Sequence, residues 1–275
     1  MSDGRWNSTT QAVQKAIALL NCFASSGAAS LSVTELSAMV DRTPSSVSRL
    51  LSALETGQLV QRDSTTGRYS LGVQLVALAG AALASNALYR VGHSHLIRLA
   101  ASTGETANLC VLEGWEVLTI DEVQGSQPIK LSGWIGMRHP LHATASGKVL
   151  LAALPAGHRE MIAAAGLTAL TAQTLTAPER LLREVERVQV EGYALTMEEL
   201  AVGLAGVAAP VRDYAGKVVA ALTIGGPSFR IASRHLADCI TLVKAEAAEA
   251  SRELGNPGTV NVREEQGTRA RGPSP

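Results

Sequence analysis

The chain has 275 residues, enough for two domains or one large one, and balances 24 Lys+Arg against 24 Asp+Glu, so net charge announces neither a polyanionic nor a polycationic partner. It is 46% hydrophobic but only 3% aromatic, which leaves Ala, Leu and Val to build the cores. Cys22, Cys110 and Cys239 lie far apart with no CxxC pair, which argues against a zinc knuckle or a disulfide framework and predicts buried thiols in a reducing cytoplasm.

Residues 1 to about 8 (MSDGRWNS) have no apolar core, which predicts a loose arm and no signal peptide. No uninterrupted apolar run reaches membrane-spanning length. Over residues 10–24 Val13, Ala16, Ile17, Leu20 and Phe23 share one helical face, predicting a helix that packs under the next two. Ser25 to Ser30 is a small-residue loop.

Ser32-Val33-Thr34-Glu35 fits a capping box, with Leu31 and Leu36 at the two positions of a hydrophobic staple. Thr43-Pro44 opens the following helix, Thr43 as N-cap and Pro44 at the first helical position, where no amide donor is needed. That helix carries Val47, Leu50, Leu51 and Leu54 as a buried stripe. Its other face holds Ser45, Arg49, Ser52 and Thr56, flanked by Ser46 and Ser48. Small hydroxyls permit close approach to a phosphate backbone, and Arg49 can fork onto a phosphate or a guanine edge. An ordinary amphipathic helix with a solvated serine face fits the same residues equally well.

Gly57 stops the helix. Gln58 to Arg62 and Arg68 to Leu71 then flank Asp63-Ser64-Thr65-Thr66-Gly67, a hairpin with a polar turn. A hairpin directly after a helix-turn-helix makes a winged helix, with Arg62 and Arg68 placed on the wing. Residues 73–88 are rich in Ala and Leu. Val73, Val76, Leu78, Ala79 and Leu83 are too many apolar groups for a lone linker helix, and either a second copy or the chain's own domains must cover them.

Residues 88–103 read as a helix. His93 and His95 stand at i and i+2, which face apart on a helix, so joint metal binding has poor geometry. Strands are expected over 107–112, 116–123, 129–135, 207–212 and 218–224, with Asp213 to Gly216 as a turn. Helices are expected over 146–154, 157–165, 177–191 and 233–253. Strands and helices intermix in one α/β domain, and the tail 256–275, with Pro257, Pro273 and Pro275, reads as disordered.

Ala143 to Lys148 leads into a helix whose first amides and dipole favour an anion, with Ser146 adding a hydroxyl; the plainer reading makes Ser146 the helix cap. A phosphate loop is excluded, because His142 stands where its first Gly is required and Val149 where Ser or Thr should follow Lys148. Ser146 and Lys148 diverge on a helix, which argues against a nucleophile and its base. The adjacent Glu198 and Glu199 point apart and are no glycosidase pair. Neither catalytic nor metal-ligating residues are expected, and no cofactor.

Taken together, one series of motifs resembles the IclR family of bacterial transcription regulators over roughly residues 10–255. It runs from Ala16-Ile17-Ala18-Leu19-Leu20 through Thr34-Glu35-Leu36, Val47-Ser48-Arg49-Leu50-Leu51 and Gly67-Arg68-Tyr69-Ser70-Leu71-Gly72. It continues with Thr103-Gly104-Glu105-Thr106, Pro140 to Lys148, Gly192-Tyr193-Ala194, Glu198-Glu199, Ala208-Ala209-Pro210-Val211 and Gly225-Gly226-Pro227. The resemblance implies an α+β chain: a winged helix-turn-helix over 9–72, a linker and dimerisation helix over 73–88, and a GAF-like effector-binding domain over 89–255. It implies a homodimer or homotetramer that reads an inverted-repeat operator in double-stranded DNA and answers to a small-molecule effector. Ser45, Ser46 and Arg49 would meet the bases or adjacent phosphates, with Arg42, Thr43, Ser48 and Ser52 beside them and Arg62 and Arg68 on the backbone.

The family effector pocket carries over, residue by residue, to Ala145, Ser146, Thr196, Gly206, Thr223 and Gly225. Members that bind glyoxylate- or pyruvate-like acids have Asp, Cys and Ser at the places of Thr196, Gly206 and Gly225, so the resemblance implies a roomier, less polar pocket suited to a larger or more aromatic acid. Trp134 and Met137 are candidates for its apolar walls, or for core or interface. Pro44 replaces a usual Lys before the recognition helix, and Asp41-Arg42 replaces a usual Gly-Leu in the turn. The alternative function, from a different class, is a ligand sensor that acts through a protein partner rather than DNA.

Overall fold

A computed structural model describes residues 3–232 and 236–257. The chain divides into two compact units, the first reaching as far as Arg90 and taking in Ile135–Met137, the second formed by the remainder.

The first unit opens with α1 (Asp3–Ser26), then α2 (Val33–Val40) and α3 (Pro44–Thr56), followed by the antiparallel pair β1 (Val60–Arg62) and β2 (Tyr69–Leu71). The capping box forms as the sequence predicts: Glu35 N donates to Ser32 Oγ at 3.2 Å and Ser32 N to Glu35 Oε2 at 2.6 Å. Thr43 caps α3, accepting from Ser46 N at 3.4 Å. Asp41 closes α2 at φ 51°, the left-handed turn for which a glycine is usual and which Asp tolerates better than most side chains. Gly67, at φ 68°, closes the wing turn.

Two expectations for α1 are corrected. The loose arm over 1–8 is helical from Asp3 onward, residues 1–2 lying outside the described residues; once a helix is nucleated, adding a turn costs little. The buried stripe is Leu19, Cys22 and Phe23 with Ala16 and Leu20, whereas Val13 and Ile17 stay more than half exposed. The two stripes share Ala16, Leu20 and Phe23, and the docking of α2, α3 and β2 selects between them. Leu31, Leu36, Val47, Leu51, Leu54, Val60 and Tyr69 complete this core. α4 (Gln74–Ser85) has no buried residue, and Val73 and Val76 are 70% and 71% exposed.

α5 (Ala87–Thr103) leads into the second unit. There β3 (Thr106–Glu113), β4 (Glu116–Val123), β5 (Arg138–Pro140), β6 (Ala194–Met197), β7 (Leu204–Arg212) and β8 (Val218–Pro227) form one sheet in the order β5-β4-β3-β8-β7-β6, antiparallel throughout. A 3-10 turn (Leu141–Ala143), α6 (Ala145–Ala152), α7 (Ala156–Ala164) and α8 (Pro178–Glu191) follow β5, and α9 (Ser228–Ile231) and α10 (Leu236–Glu253) follow β8. Successive strand residues face opposite ways. Cys110, Ala194, Ala208 and Ala221 pack with α6 and α8, while Leu109 on the other face meets Gly92 of α5.

The strand expected over 129–135 is absent; that stretch is irregular, with Gly133 and Gly136 at φ 79° and 81°, a conformation that breaks a strand. The edge strand is β5 instead. The strand β6 and the short α9 went unforeseen, both too brief to carry a period. The helix expected from 233 is described from Leu236, and the tail expected to be disordered lies, from 258 on, outside the described residues. His93 and His95 diverge to separate carboxylates, Asp121 Oδ2 at 2.7 Å and Glu246 Oε2 at 2.6 Å. No cluster with metal-ligating geometry occurs among the described residues, and no single helix there is long and apolar enough to cross a membrane.

Candidate functional site

The outer face of α3 is left bare by the fold. Val47, Leu51 and Leu54 are buried inward, while Ser45, Ser48, Arg49 and Ser52 are exposed and Ser46 is half-buried at its edge. Arg42 and Thr43 stand exposed just before it. These residues share one continuous polar surface because a single stripe of apolar residues turns the helix inward.

The two wing arginines differ. Arg62 is exposed, its guanidinium 5.9 Å from the centre of the Tyr69 ring. Arg68 folds back, donating from Nε to Ser30 Oγ at 3.1 Å and from Nη2 to Ser30 O at 2.9 Å and Glu35 Oε2 at 2.8 Å. Glu35 thus holds the Ser32 amide and the Arg68 guanidinium together. The hydrogen bonds from Ser32, with Arg68 beside them, draw its carboxyl down to about 2. Glu35 in the capping box was legible as such; its hold on the wing was not.

In the second unit, Ala145, Ser146, Thr196, Gly206, Thr223 and Gly225 all line one cavity with about 490 Å³ of empty space, its open mouth included. The register explains their meeting. Thr196, Gly206, Gly225 and Thr106 oppose one another across β6, β7, β8 and β3, and one step along the sheet Ala208, Thr223 and Asn108 do the same. α6 closes the cavity with its first turn. The cap of α6 is Thr144, not Ser146: Gly147 N donates to Thr144 Oγ1 at 3.0 Å, because Thr144 is the last residue with extended backbone. Ser146 sits two residues further in, within the first turn, 4% exposed, and lines the cavity. Gly147 is required by crowding, since a Cβ there would lie 2.3 Å from the Leu141 carbonyl oxygen.

The room at the two glycine positions is uneven. A Cβ on Gly206 would meet nothing nearer than Thr196 Oγ1 at 3.5 Å, whereas one on Gly225 would run into Leu131 Cδ1 at 2.7 Å. Trp134 does line the cavity, its ring centre 4.6 Å from that of His139; Met137 is exposed and does not. Residue-by-residue reading missed Asn108, Cys110, Thr119, Leu131 and His139, which line the same space. A polar Asn108 within the apolar run of β3 was the available signal. Burial pushes the Cys110 thiol up, away from a reactive thiolate. Thr119 Oγ1 lies at hydrogen-bonding distance from its sulfur, 3.7 Å, while the nearby Thr223 hydroxyl makes no bond of proper geometry.

Lys148, two residues beyond Ser146, is 1% exposed and ends 2.6 Å from Glu199. Glu198, at φ 58°, turns the other way and accepts from Ser228 Oγ at 2.6 Å. The two glutamates point apart as expected.

Comparison with known proteins agrees with this arrangement at both ends of the chain. Residues 12–64 match the IclR helix-turn-helix domain, and residues 80–252 match the family described as bacterial transcriptional regulator IclR C-terminal. The HTH-type transcriptional repressor AllR of Escherichia coli strain K12 is 32% identical over 248 residues, covering 89% of this chain and 90% of that protein, and its Salmonella typhi counterpart matches to the same extent. Among solved structures, an IclR transcriptional regulator from Alicyclobacillus acidocaldarius superposes with a TM-score of 0.83 at 26% identity, covering 89% of this chain and 99% of that one. The Thermotoga maritima IclR gives 0.70 at 30% identity over 90% and 99%. The buried, ion-paired Lys148 removes the last ground for reading Ser146 as a nucleophile, and the relatives are regulators rather than enzymes. The chain therefore belongs to the IclR family of bacterial transcriptional regulators.

Proposed function

We propose that this chain is a cytoplasmic transcriptional repressor that binds an inverted-repeat operator as a homodimer or larger homo-oligomer and is controlled by a small organic acid, carboxylate or aromatic, held in the cavity of the second unit. The observation that carries the reading is the bare face of α3. Ser45, Ser48, Arg49 and Ser52 are exposed on a helix whose apolar residues are spent inward, as a recognition helix in a major groove requires. The relatives named as repressors support the sign of the regulation. The uncovered α4 supports assembly with a second copy, which would also double a modest positive field. A coupling of about 1–3 kcal/mol between cavity and operator would change DNA affinity some 5- to 150-fold.

Arg49→Ala tests it. Specific operator affinity should fall at least about tenfold, as loss of a bidentate base or phosphate contact implies, with oligomeric state unchanged. Wild-type affinity should weaken steeply with salt. Operator affinity untouched by the substitution, or binding insensitive to salt, would favour action through a protein partner.

A further inference from the structure

Three buried polar atoms in one cavity have no hydrogen-bond partner among the described residues: Asn108 Oδ1, Thr223 Oγ1 and His139 Nε2. Folded proteins leave few such atoms, and each one marks strain or a place where a water, an ion or a ligand bonds. Asn108 and Thr223 are 3% and 9% exposed and oppose each other across β3 and β8. They lie on the same cavity wall system as Ser146 in the first turn of α6, where amide donors and the helix dipole favour an anion.

His139 belongs to a different place. It sits on β5, the edge strand, and β4 separates it from β3. Two strand spacings put the backbones about 10 Å apart, so one functional group of a small ligand cannot satisfy both stations. The rest of the lining is largely apolar, with Val117, Leu131, Trp134, Leu200 and Leu204, though Thr119 lines it from β4, the strand between β3 and β5. Burial holds the His139 imidazole below its ordinary value, with Glu116 pulling weakly the other way, so at neutral pH it offers a neutral nitrogen and no counter-charge. No Lys, Arg, Asp or Glu lines the cavity. Such a site has no cation to neutralise a dianion and no acid for an amine.

We infer that His139 is the specificity-determining residue of this cavity, hydrogen-bonding a neutral polar group such as a hydroxyl at the end of an aromatic monoacid remote from its carboxylate. The inference rests on the cavity being the effector site. The carboxylate goes to Ser146, Thr223 and the α6 amides, the ring to the Trp134 and Leu131 walls, and the far hydroxyl to His139 Nε2.

The test is calorimetric titration of the full chain with benzoate and with 4-hydroxybenzoate, on wild type, His139→Leu, His139→Gln and Gly206→Leu. Wild type should bind the hydroxylated acid about tenfold more tightly, the scale of one net hydrogen bond. His139→Leu should erase that preference while keeping benzoate affinity, and His139→Gln should restore most of it. Gly206→Leu, which drives a side chain into the cavity, should weaken both acids. Equal affinities in wild type, or a preference that survives His139→Leu, would overturn the role of His139 and leave the cavity reading standing if Gly206→Leu still blocks. Failure of both acids to bind wild type, or indifference to Gly206→Leu, would overturn the cavity reading and this inference with it.

Discussion

Lys148 Nζ lies 2.6 Å from Glu199 Oε1, and both side chains are almost wholly removed from water. Burial pushes the Glu199 carboxyl up while the Lys148 ammonium pulls it down, and its second oxygen has no partner among the described residues. Removing one member of such a pair strands the other. Lys148→Met should cost about 3–5 kcal/mol of unfolding free energy, and adding Glu199→Leu should recover most of it. The single variant should be relatively better off at pH 5 than at pH 8, because a carboxyl whose folded value is raised is the first to be relieved by protonation. Urea unfolding at both pH values measures this; a double variant no better than the single one would count against it.

Glu35 carries the opposite sign. Its folded value of about 2 lies below the ordinary carboxylate value, so its contribution is fully present above roughly pH 5 and is lost as pH falls toward about 2. Thermal unfolding of the full chain should show a smaller pH 6 to pH 3 loss in Glu35→Gln than in wild type.

The wing arginines should separate by readout. Arg62→Ala should weaken binding to any duplex and lower the salt slope by about one, as loss of a single phosphate contact does. Arg68→Ala should first lower the thermal stability of the winged helix, since its guanidinium is bonded to Ser30 and Glu35. Equal effects of the two on folding would show that the tie to Ser30 contributes nothing.

Val76 and Leu78 are 71% and 52% exposed on α4. A charge at either should be harmless to the isolated fold and harmful to assembly. Val76→Asp with Leu78→Asp should lower the sedimenting mass toward one chain at micromolar concentration, with the far-UV circular dichroism unchanged. A wild-type mass above one chain that the double variant leaves unaltered would place the contact between copies elsewhere, and a wild type that already sediments as one chain would overturn the assembly proposed above.

Local signals made much of this legible from sequence. The capping box at Ser32, the Thr43-Pro44 start and the stripe through Val47, Leu51 and Leu54 are rules about neighbours a few residues apart, and each reappears in α2 and α3. The face of α1 was misjudged because Val13 and Ile17 fit the period as well as Leu19 and Cys22 do, and only the docking of the other helices decides. The stretch 129–135 is apolar enough for a strand, but Gly133 within it and Gly136 just past it adopt left-handed backbone. At the cavity, the six residues carried over by resemblance come together, while Asn108, Leu131 and His139 needed the sheet register and the path of an irregular loop to be placed.

Gly206 and Gly225 face each other across β7 and β8, yet they differ in evolutionary freedom. A side chain gained at Gly206 meets only ordinary neighbours, so that site can be altered alone. One gained at Gly225 collides with Leu131 and succeeds only if that leucine yields or is itself replaced. A small side chain is therefore accommodated outright at 206, and at 225 only with a rotation of the Leu131 side chain, so the two glycines are not equivalent in what a single exchange asks of the surrounding loop.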